Sequence, residues 1–384
     1  MKKMKLFFDT TPLMHYPCGI SIFTIQMLSY LLKNTDVELH TGIRSCNFKM
    51  MADFKQRLFN LSSDKITWHS IFFPPRLNLE KTPFQRYFSF RPEDYDLMYY
   101  PTHVAPYYVP PADFSNTILT VHDMFLWHSE YNDQVLPPFL NYLKRSLPEQ
   151  ARKARAIVTV SNFSKQEMIS FLGIPEEKIH VIPIATQWDE TLSSATSELL
   201  HKLNVKPGSY FLSVSSLDPH KNFESLCKAF SVYHNSADYG NEKLIIVGKR
   251  KPGDDKLYQL FQNTPDLIHL SGVDEADLKA LYENAKGFFL VSKLEGFGIP
   301  LLEAMSCKTP ACYGLGSSMD EIGRDAAYGV EPENIDAIAE VFKIFSANPP
   351  ELQKRVESAY QISLEYSWEN AGKRLYDLFQ DLSS

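Results

Sequence analysis

Short apolar runs alternate with segments of helical periodicity along nearly the whole chain of 384 residues. Residues 4–9 and 37–43 have the pattern of buried strands, and residues 19–32 carry apolar side chains at helical spacing. A strand, a helix and a second strand in this order indicate a parallel sheet. The same alternation returns in residues 210–312. We therefore predict an α/β protein of two doubly wound parallel-sheet domains, with a ligand site in the cleft between them.

The charge of the chain is unevenly divided between its two halves. Residues 1–188 hold 20 basic and 17 acidic residues, a net of +3, whereas the remainder carries −10. The total of −7 argues against a nucleic-acid partner recognised through overall charge. The basic first half instead indicates an anionic substrate or an anionic surface as its partner.

The cysteines and the N-terminal residues indicate the cellular compartment in which the protein works. The five cysteines form no Cys-x-x-Cys pair, so neither a disulfide framework nor a zinc site is predicted. The lysines at positions 2, 3 and 5 are followed at once by Asp9, which is unlike a secretory signal peptide. No uninterrupted apolar run reaches the ~18 residues that a transmembrane helix needs. These features predict a cytoplasmic protein.

Residues 48–61 allow two interpretations. Large apolar side chains alternate there with Lys49, Lys55 and Arg57. A helix packed against the core is the favoured interpretation. The alternative is an interfacial segment that brings the protein to the inner face of the plasma membrane or to a lipid-linked acceptor. Residues 72–91 are rich in proline, phenylalanine and arginine and are expected to form an irregular insertion.

A glycine-rich stretch with two glutamates, residues 293–303, follows a predicted strand and opens the next predicted helix. The first turn of a helix offers free backbone N–H groups and the positive end of its dipole, which suits a phosphate. Gly296 and Gly298 would let backbone approach a ligand closely. The carboxylates of Glu295 and Glu303 would accept hydroxyl groups. The stretch predicts a nucleotide or sugar-phosphate ligand, and the alternative is a solvated loop before an exposed helix.

Two predicted strands each lead to a histidine, His103 after residues 96–100 and His122 after residues 117–121. The carboxyl ends of parallel strands share one edge of a sheet, so both histidines are expected near the ligand crevice. The competing interpretations are an ordinary loop for His103 and a capped turn for His122 and its neighbour Asp123.

Several motifs of the second half occur in an order that resembles one enzyme family. They are the Pro-His-Lys-Asn segment at 219–222, the segments 272–275 and 278–282, the two glutamates with seven residues between them, and the segment 316–323. This series resembles the retaining GT-B glycosyltransferases of glycosyltransferase group 1, a large family that includes bacterial mannosyl- and glucosyltransferases. A weaker resemblance in the first half covers 19–20, 120–123 and 159–164.

The resemblance implies a division of the chain into parts. Residues 1–188 would be an acceptor-binding Rossmann-like domain, and residues 189–365 a nucleotide-sugar-binding one. Residues 366–384, which begin with Tyr-Ser-Trp, would be a C-terminal helix that returns to the first domain.

The resemblance also implies roles for individual residues. Glu303 would accept the ribose hydroxyls of a nucleotide sugar, and Glu295 would lie near the donor sugar. Lys221 would bind the diphosphate, where negative charge develops during transfer. His122 would contact the donor sugar close to the reacting centre, so that His122, Glu295 and Lys221 form the catalytic set. The other donor-binding residues would be Gly19, Ser216, His220, Lys249, Val273, Gly296, Phe297 and Gly298.

The sequence departs from the family at the diphosphate clamp. Many relatives carry an arginine at one of the two positions that are Ser216 and His220 in this chain. Lys221 would then bind the diphosphate alone, or together with His220, Lys249 or Arg250.

The implied reaction is transfer with retention of configuration, which needs either a covalent intermediate or front-face attack. The front-face route is expected, because no second carboxylate is obviously placed to act as the nucleophile. A lysine and a helix N-terminus supply positive charge, so neither a metal nor a cofactor is expected. The expected donor is GDP-mannose, and the alternatives are UDP-linked glucose, galactose or N-acetylglucosamine. The acceptor would be a lipid-linked glycan of bacterial surface polysaccharide, such as O-antigen or capsule.

Two other classes of protein share this fold. A GT-B epimerase acting on UDP-N-acetylglucosamine would lack the pattern of two glutamates. A nucleotide-binding module without catalysis would have lost His122, Lys221 or one of the glutamates, and all are present. Both classes are therefore less favoured than the glycosyltransferase.

Overall fold

The chain forms two compact units, Met1–Ile184 with Ser367–Ser384, and Ala185–Tyr366. The computed structural model describes residues 3–15, 19–45, 65–72, 94–102, 114–134, 137–186, 188, 198–249 and 255–383. The predicted helix at 48–61, all but Phe72 of the predicted insertion, His103 and Arg250 lie outside the described residues. Each unit contains its own parallel sheet.

Within its described residues, the first unit contains a parallel sheet with the strand order β3-β2-β1-β4-β5-β6-β7. The strands are β1 (Lys5–Asp9), β2 (Glu38–Ser45), β3 (Ile66–Phe72), β4 (Leu97–Tyr100), β5 (Thr117–Thr120), β6 (Ala156–Thr159) and β7 (Ile179–Val181). The helices among them are α1 (Gly19–Asn34), α2 (Pro137–Lys153) and α3 (Asn162–Leu172). Short 3₁₀ helices lie at Thr11–His15, Phe125–Trp127, Ser129–Gln134 and Glu176–Lys178. This order confirms the doubly wound arrangement predicted for the first half.

The strands and helices of this unit have the local features that the sequence predicts. Every residue of β4, β5 and β6 is buried, as expected for parallel strands covered on both faces. Helix α3 begins after Ser161, whose Oγ accepts a hydrogen bond from the backbone N–H of Ser164 at 3.1 Å. It ends at Gly173, whose φ of 63° is in the left-handed region.

The second unit contains, in its described residues, a parallel sheet with the order β10-β9-β8-β11-β12-β13. Its strands are β8 (Tyr210–Val214), β9 (Lys243–Val247), β10 (Leu267–Leu270), β11 (Gly287–Leu290), β12 (Ala311–Gly314) and β13 (Tyr328–Val330). Its helices are α4 (Glu198–Lys202), α5 (Phe223–His234), α6 (Asp255–Asn263), α7 (Glu275–Asn284), α8 (Ile299–Ser306), α9 (Met319–Gly323), α10 (Ile335–Ala347) and α11 (Pro350–Ser363). The second half is therefore doubly wound as well, and the predicted α/β fold class is confirmed.

Aromatic rings dominate the core where α5 and α10 cover the second sheet. The rings of Phe289 and Phe342 stack with centroids 3.9 Å apart, and Phe211 meets Phe342 edge-on at 4.8 Å. All three side chains are fully buried. Large rings bury much apolar area each, so this cluster stabilises the sheet that carries the second-unit loops described below.

The last helix, α12 (Trp368–Ser383), belongs to the first unit and packs against α1. The approach is close at Gly372, where an added Cβ would lie 2.2 Å from Cγ of Tyr30. Further along α12, the ring of Phe379 meets Tyr99 of β4 edge-on, with centroids 5.2 Å apart. A glycine at position 372 therefore allows the helix to lie directly on the tyrosine ring.

Both sheets have a point where the strand order reverses, between β1 and β4 in the first and between β8 and β11 in the second. In open α/β sheets, ligands bind at the carboxyl ends of the strands on either side of such a point. In the second unit, Lys221 follows β8 and Glu295 follows β11, and these two strands are hydrogen-bonded neighbours.

The sequence did not predict strands β3 and β13 or helices α4 and α9. Strand β13 has three residues and the two helices have five each, too few to show a period. Strand β12 begins at Ala311, two residues later than the strand predicted at residues 309–312. The hydroxyl of Thr309 donates to the carbonyl of Tyr282 at 2.6 Å, and Pro310 has no N–H for a ladder.

Candidate active site

Lys221 and Glu295 form an ion pair at the switch point of the second sheet. The Lys221 ammonium lies 2.7 Å from Oε1 and 2.8 Å from Oε2 of Glu295. The side chains are 13% and 11% exposed, so water screens the pair only in part. The structure thus brings together the two second-unit residues expected to be catalytic.

Two serines fix the position of Glu295. The Ser292 hydroxyl donates to Oε1 of Glu295 at 2.8 Å, and the Ser318 hydroxyl donates to its backbone carbonyl at 2.8 Å. Both serine side chains are buried. The carboxylate is therefore held by Lys221 and Ser292, and the backbone behind it by Ser318, which is unlike the solvated loop considered as the alternative.

Asn222 joins the lysine loop to the sheet. Its φ of 59° and ψ of 36° place it in the left-handed region, where asparagine is tolerated better than most residues. Its side-chain amide donates to the carbonyl of Val291 at 3.1 Å and to that of Pro332 at 2.6 Å. The backbone N–H of Lys293 donates to the carbonyl of His220 at 2.8 Å, which links the two loops directly. Sequence reasoning assigned no role to Asn222, although its place between a turn and a helix is a signal for a left-handed residue.

Gly298 forms the start of helix α8. Its φ is 102°, and an added Cβ would lie 2.8 Å from Cγ of Met319. Its carbonyl accepts hydrogen bonds from the N–H groups of Leu301 and Leu302, so the helix begins directly after it. Glycine is required here by the backbone conformation and by Met319, in addition to any close approach of a ligand.

Glu303 lies inside the unit, not on an exposed helix face. Glu303 is only 4% exposed, and its Oε2 accepts a hydrogen bond from the hydroxyl of Tyr282 at 2.9 Å. Burial raises the pKa of the Glu303 carboxyl to about 8, although the bond from Tyr282 lowers it and the charge of Glu275 raises it further. A ligand that donates hydrogen bonds to this carboxyl would stabilise its ionised form.

The other donor-binding candidates of the second unit lie in different environments. Phe297 is buried and its ring meets Tyr366 at 5.7 Å, and His220 is also buried. Ser216 and Lys249 are exposed. The half-buried candidates are Val273 and Gly296. Among the described contacts, neither Ser216 nor Lys249 bonds to Lys221 or Glu295, so Lys221 is the cation that the structure puts beside the motif.

In the first unit, His122 follows β5 and is held by its neighbours. Its Nε2 lies 2.9 Å from the carbonyl oxygen of Pro101, and its ring meets Phe23 edge-on at 5.0 Å. A carbonyl only accepts, so Nε2 carries the proton of this hydrogen bond. The hydroxyl of Ser164 donates to the backbone carbonyl of His122 at 3.2 Å, which fixes the main chain at this position.

Two carboxylates at the same edge of the first sheet hold turns. Oδ1 of Asp123 accepts from the N–H of Phe125 at 3.1 Å, the capped turn considered as an alternative for this segment. Oδ1 of Asp9 accepts from the N–H of Thr11 at 3.2 Å and from its hydroxyl at 2.7 Å. Gly19 is exposed at the first position of α1. The first unit therefore contributes Gly19 and His122 to the candidate set, and the second unit contributes the rest.

Within the part of the chain that the structure describes, no cluster of three or more His, Cys, Asp or Glu residues is arranged to hold a metal ion. In the same residues, no helix combines the length and the apolar character needed to cross a membrane.

Two family descriptions match the chain in succession. The family described as glycosyl transferases group 1 matches residues 198–362, and glycosyltransferase family 4 matches residues 52–185. The first match includes Lys221, Glu295 and Glu303, and the second includes His122. The two matches together span most of the chain.

Curated relatives include mannosyltransferases. The chain is 26% identical over 382 residues to O-antigen chain mannosyltransferase B of Escherichia coli, covering 96% of this chain and 97% of that protein. It is 29% identical over 224 residues to O-antigen chain mannosyltransferase RfbU of Salmonella typhimurium, covering 57% and 58%. With the serotype-specific mannosyltransferase WbdA of Escherichia coli it shares 25% over 300 residues, and it spans only 36% of that longer protein.

Solved structures share the fold across the whole chain. The structure of Anabaena Alr3699/HepE in complex with UDP and glucose superposes with a TM-score of 0.73 at 18% identity, covering 98% of this chain and 99% of the other. WaaG, a glycosyltransferase involved in lipopolysaccharide biosynthesis, gives 0.66 at 13% identity, covering 98% and 99%. The two Rossmann-like units therefore define a GT-B fold. The two family matches and the mannosyltransferase relatives show that the chain is a glycosyltransferase, of the hexosyltransferase class.

Proposed function

We propose that this enzyme moves mannose from GDP-mannose to a growing glycan of bacterial surface polysaccharide, such as O-antigen or capsule. The likeness to an O-antigen chain mannosyltransferase over 96% of the chain supports the sugar and the class of acceptor. The observation that carries the proposal is the contact of Lys221 with Glu295, 2.7 Å at its shortest, at the switch point of the second sheet. A sugar diphosphate needs a cation for its phosphates and an acceptor for its hydroxyls, and this pair offers both.

The donor nucleotide would bind along the second unit from Glu303 to Lys221. Glu303 accepts the ribose hydroxyls, and the positive end of the α8 dipole favours the diphosphate. The backbone at Gly296, Phe297 and Gly298 contributes to the same site. Lys221 binds the diphosphate, with Ser216, His220, Lys249 and Val273 as the remaining donor contacts.

The transfer breaks the bond between the anomeric carbon of mannose and the oxygen of the β-phosphate. The electron pair of that bond stays on the phosphate, and Lys221 stabilises the charge that develops there. The acceptor hydroxyl forms the new bond on the same face of the sugar, and its proton passes to the departing phosphate. Configuration is retained without a covalent intermediate, and trapping a glycosyl-enzyme on a carboxylate would contradict this route.

His122 serves the reaction from the first unit in this proposal. Its proton on Nε2 is committed to the carbonyl of Pro101 at 2.9 Å, so the ring is held in one orientation. An imidazole fixed in this way can orient a sugar hydroxyl near the reacting centre. Gly19 lets the backbone of the same unit approach the diphosphate or the acceptor.

The positive charge that the transfer needs comes from Lys221 and the N-terminus of α8, so we propose a reaction without metal or cofactor. We further propose that the acceptor is lipid-linked and that the enzyme acts at the cytoplasmic face of the membrane. The net charge of +3 in residues 1–188 supports attraction to an anionic surface.

A UDP-sugar is the second candidate donor. The likeness to a structure described as a complex with UDP and glucose favours this candidate, at a TM-score of 0.73. The chemistry at Lys221 and Glu295 would be the same with either donor. An epimerase acting on UDP-N-acetylglucosamine is less favoured, because it would lack the pattern of two glutamates with seven residues between them.

The proposal is tested by measuring nucleotide release from GDP-mannose and from UDP-linked glucose, galactose and N-acetylglucosamine, each with and without a lipid-linked mannan acceptor. We expect GDP release that depends on the acceptor and persists in a chelator. Faster nucleotide release from a UDP-sugar than from GDP-mannose would show that the UDP-sugar is the donor. Turnover that stops in chelator and returns with a divalent ion would contradict the metal-free mechanism.

A further inference from the structure

Among the described residues, the group that hydrogen-bonds to the carboxylate of Glu303 is the hydroxyl of Tyr282. The oxygen of Tyr282 lies 2.9 Å from Oε2 of Glu303 and donates to it. Tyr282 is fully buried and Glu303 is 4% exposed. No other described side chain or N–H donates to either carboxylate oxygen of Glu303. One oxygen is therefore held from inside the fold, and the other has its hydrogen-bonding capacity left for a ligand.

Tyr282 is itself held on three sides. Its backbone carbonyl accepts from the hydroxyl of Thr309 at 2.6 Å, immediately before strand β12. Its ring meets Trp188 edge-on at 5.0 Å and packs against Phe288 at 5.2 Å. A side chain in such a position has little rotational freedom, so its hydroxyl imposes one orientation on the carboxylate that it bonds.

We propose that Tyr282 is a positioning residue that orients the Glu303 carboxylate toward the vicinal ribose hydroxyls of the donor. This inference rests on the proposed function of Glu303 as the ribose-binding residue. With Oε2 fixed by tyrosine, Glu303 presents the other oxygen in one direction, which lowers the ordering cost of binding. The tyrosine bond also favours the ionised carboxylate, which is the form that accepts hydroxyl hydrogen bonds.

The proposed role makes donor binding depend on pH. Burial raises the pKa of the Glu303 carboxyl to about 8, so binding to its ionised form strengthens as the pH rises from about 6 to 8. Loss of the Tyr282 bond removes a group that favours ionisation. The midpoint of the pH dependence should therefore move upward when this hydroxyl is removed.

The test is the variant Tyr282→Phe, with affinity for GDP measured by calorimetry between pH 6 and 9. We expect the dissociation constant at pH 7 to rise about tenfold, the usual loss of a hydrogen bond to a charged group, with the midpoint shifted upward. The donor KM should rise by a larger factor than kcat falls. The matched control is Tyr210→Phe, which removes a buried hydroxyl that donates to the carbonyl of Leu281 at 2.8 Å. The control should change neither the dissociation constant for GDP nor the midpoint of its pH dependence.

If Tyr282→Phe folds poorly, a second variant that keeps the packing intact tests the same role. A fluorinated tyrosine at position 282 is a stronger donor, and it should move the pH midpoint downward, opposite to Tyr282→Phe. Equal affinity and equal midpoints in wild type and both variants would overturn the positioning role of Tyr282. A wild-type protein that binds no nucleotide would instead contradict the proposed function, so the two failures are distinguishable.

Discussion

The ammonium of Lys221 bonds both carboxylate oxygens of Glu295, at 2.7 and 2.8 Å, across two loops that follow neighbouring strands. The residues are 74 positions apart in the chain. Each side chain compensates the charge of the other, and the side chains of Lys221 and Glu295 are only 13% and 11% exposed. A diphosphate that binds Lys221 competes with Glu295 for the same ammonium, and the carboxylate that it releases becomes an acceptor for sugar hydroxyls.

Replacing Lys221 by methionine should abolish most turnover. The variant keeps an unbranched side chain of nearly the same length but removes the cation beside the departing phosphate, so we expect kcat to fall about 100-fold or more. The control is Lys228→Met on α5, whose lysine is 50% exposed and pairs with Glu224. Wild-type kcat in Lys221→Met, or an equal loss in the control, would contradict the role of Lys221.

A double variant separates charge pairing from catalysis at the same position. Lys221→Met leaves the Glu295 carboxylate without its cation, which should lower the melting temperature. Adding Glu295→Gln removes that uncompensated charge and should restore much of the melting temperature but none of the activity. Recovery of activity in the double variant would show that the lysine only neutralises the glutamate.

Glu303→Gln should stabilise the second unit at pH 8 while it weakens nucleotide binding. The pKa of this carboxyl is raised from 4.5 to about 8 in the folded protein, so the unfolded chain loses its proton first as pH rises. Wild-type stability should therefore fall between about pH 4.5 and 8, by a few kcal/mol, and level off above. Glutamine does not titrate and should remove this slope. Urea unfolding of both proteins at pH 5 and pH 8 measures the difference, and parallel pH dependences would contradict it.

Gly298→Ala should destabilise the start of α8 for two reasons that can be separated. The φ of 102° is strained for alanine, and its Cβ would lie 2.8 Å from Cγ of Met319. Gly208→Ala is the control, because its φ of 73° is also positive but no atom lies within 4 Å of the added Cβ. We expect a loss of about 1 kcal/mol at position 208 and more at position 298. In a Met319→Ala background the additional loss caused by Gly298→Ala should shrink to its conformational part, as measured by urea unfolding. Equal losses at 208 and 298 in the wild-type background would contradict the contact.

The sequence predicts the parts of this site that depend on local pattern. The order of strands and helices gave both sheets, and the spacing of Lys221, Glu295 and Glu303 within known motifs gave the candidate residues. Tyr282, Ser292 and Asn222 were not recognised as supports, because their hydrogen bonds join segments that are distant in sequence or run through backbone carbonyls. No pattern along the chain records which carbonyl an amide will meet after folding.

Burial is the second property that the sequence did not supply. Glu303 was expected to accept hydroxyls, but an acidic residue near the start of a helix is most often exposed. Its environment is set by Tyr282 on α7 and by the packing of α8 against the sheet, which are tertiary features. The raised pKa follows from that environment and could not be inferred from the motif.

Glu242→Gln should lower the free energy of unfolding of the second unit and change how that free energy depends on pH in acid. The residue is 2% exposed, and its carboxylate accepts hydrogen bonds from Lys286, Ser346 and Tyr233. Burial alone would raise the pKa of this carboxyl, but these three bonds and a backbone hydrogen bond lower it from 4.5 to about 2. Its contribution is therefore present above about pH 4.5, and about 3 kcal/mol should be lost as the pH falls toward 2.

The variant lacks this charge, so its stability should change less between pH 5 and 3 than that of the wild type. The control is Glu224→Gln, an exposed glutamate of the same unit that pairs with Lys228 on the surface of α5. It should follow the wild type closely, because an exposed pair contributes little. Hydrogen exchange of the β9 amides reports the opening of this unit separately from the first. Identical acid dependences of β9 exchange in Glu242→Gln and wild type would show that the buried network does not supply the acid-sensitive part of the stability.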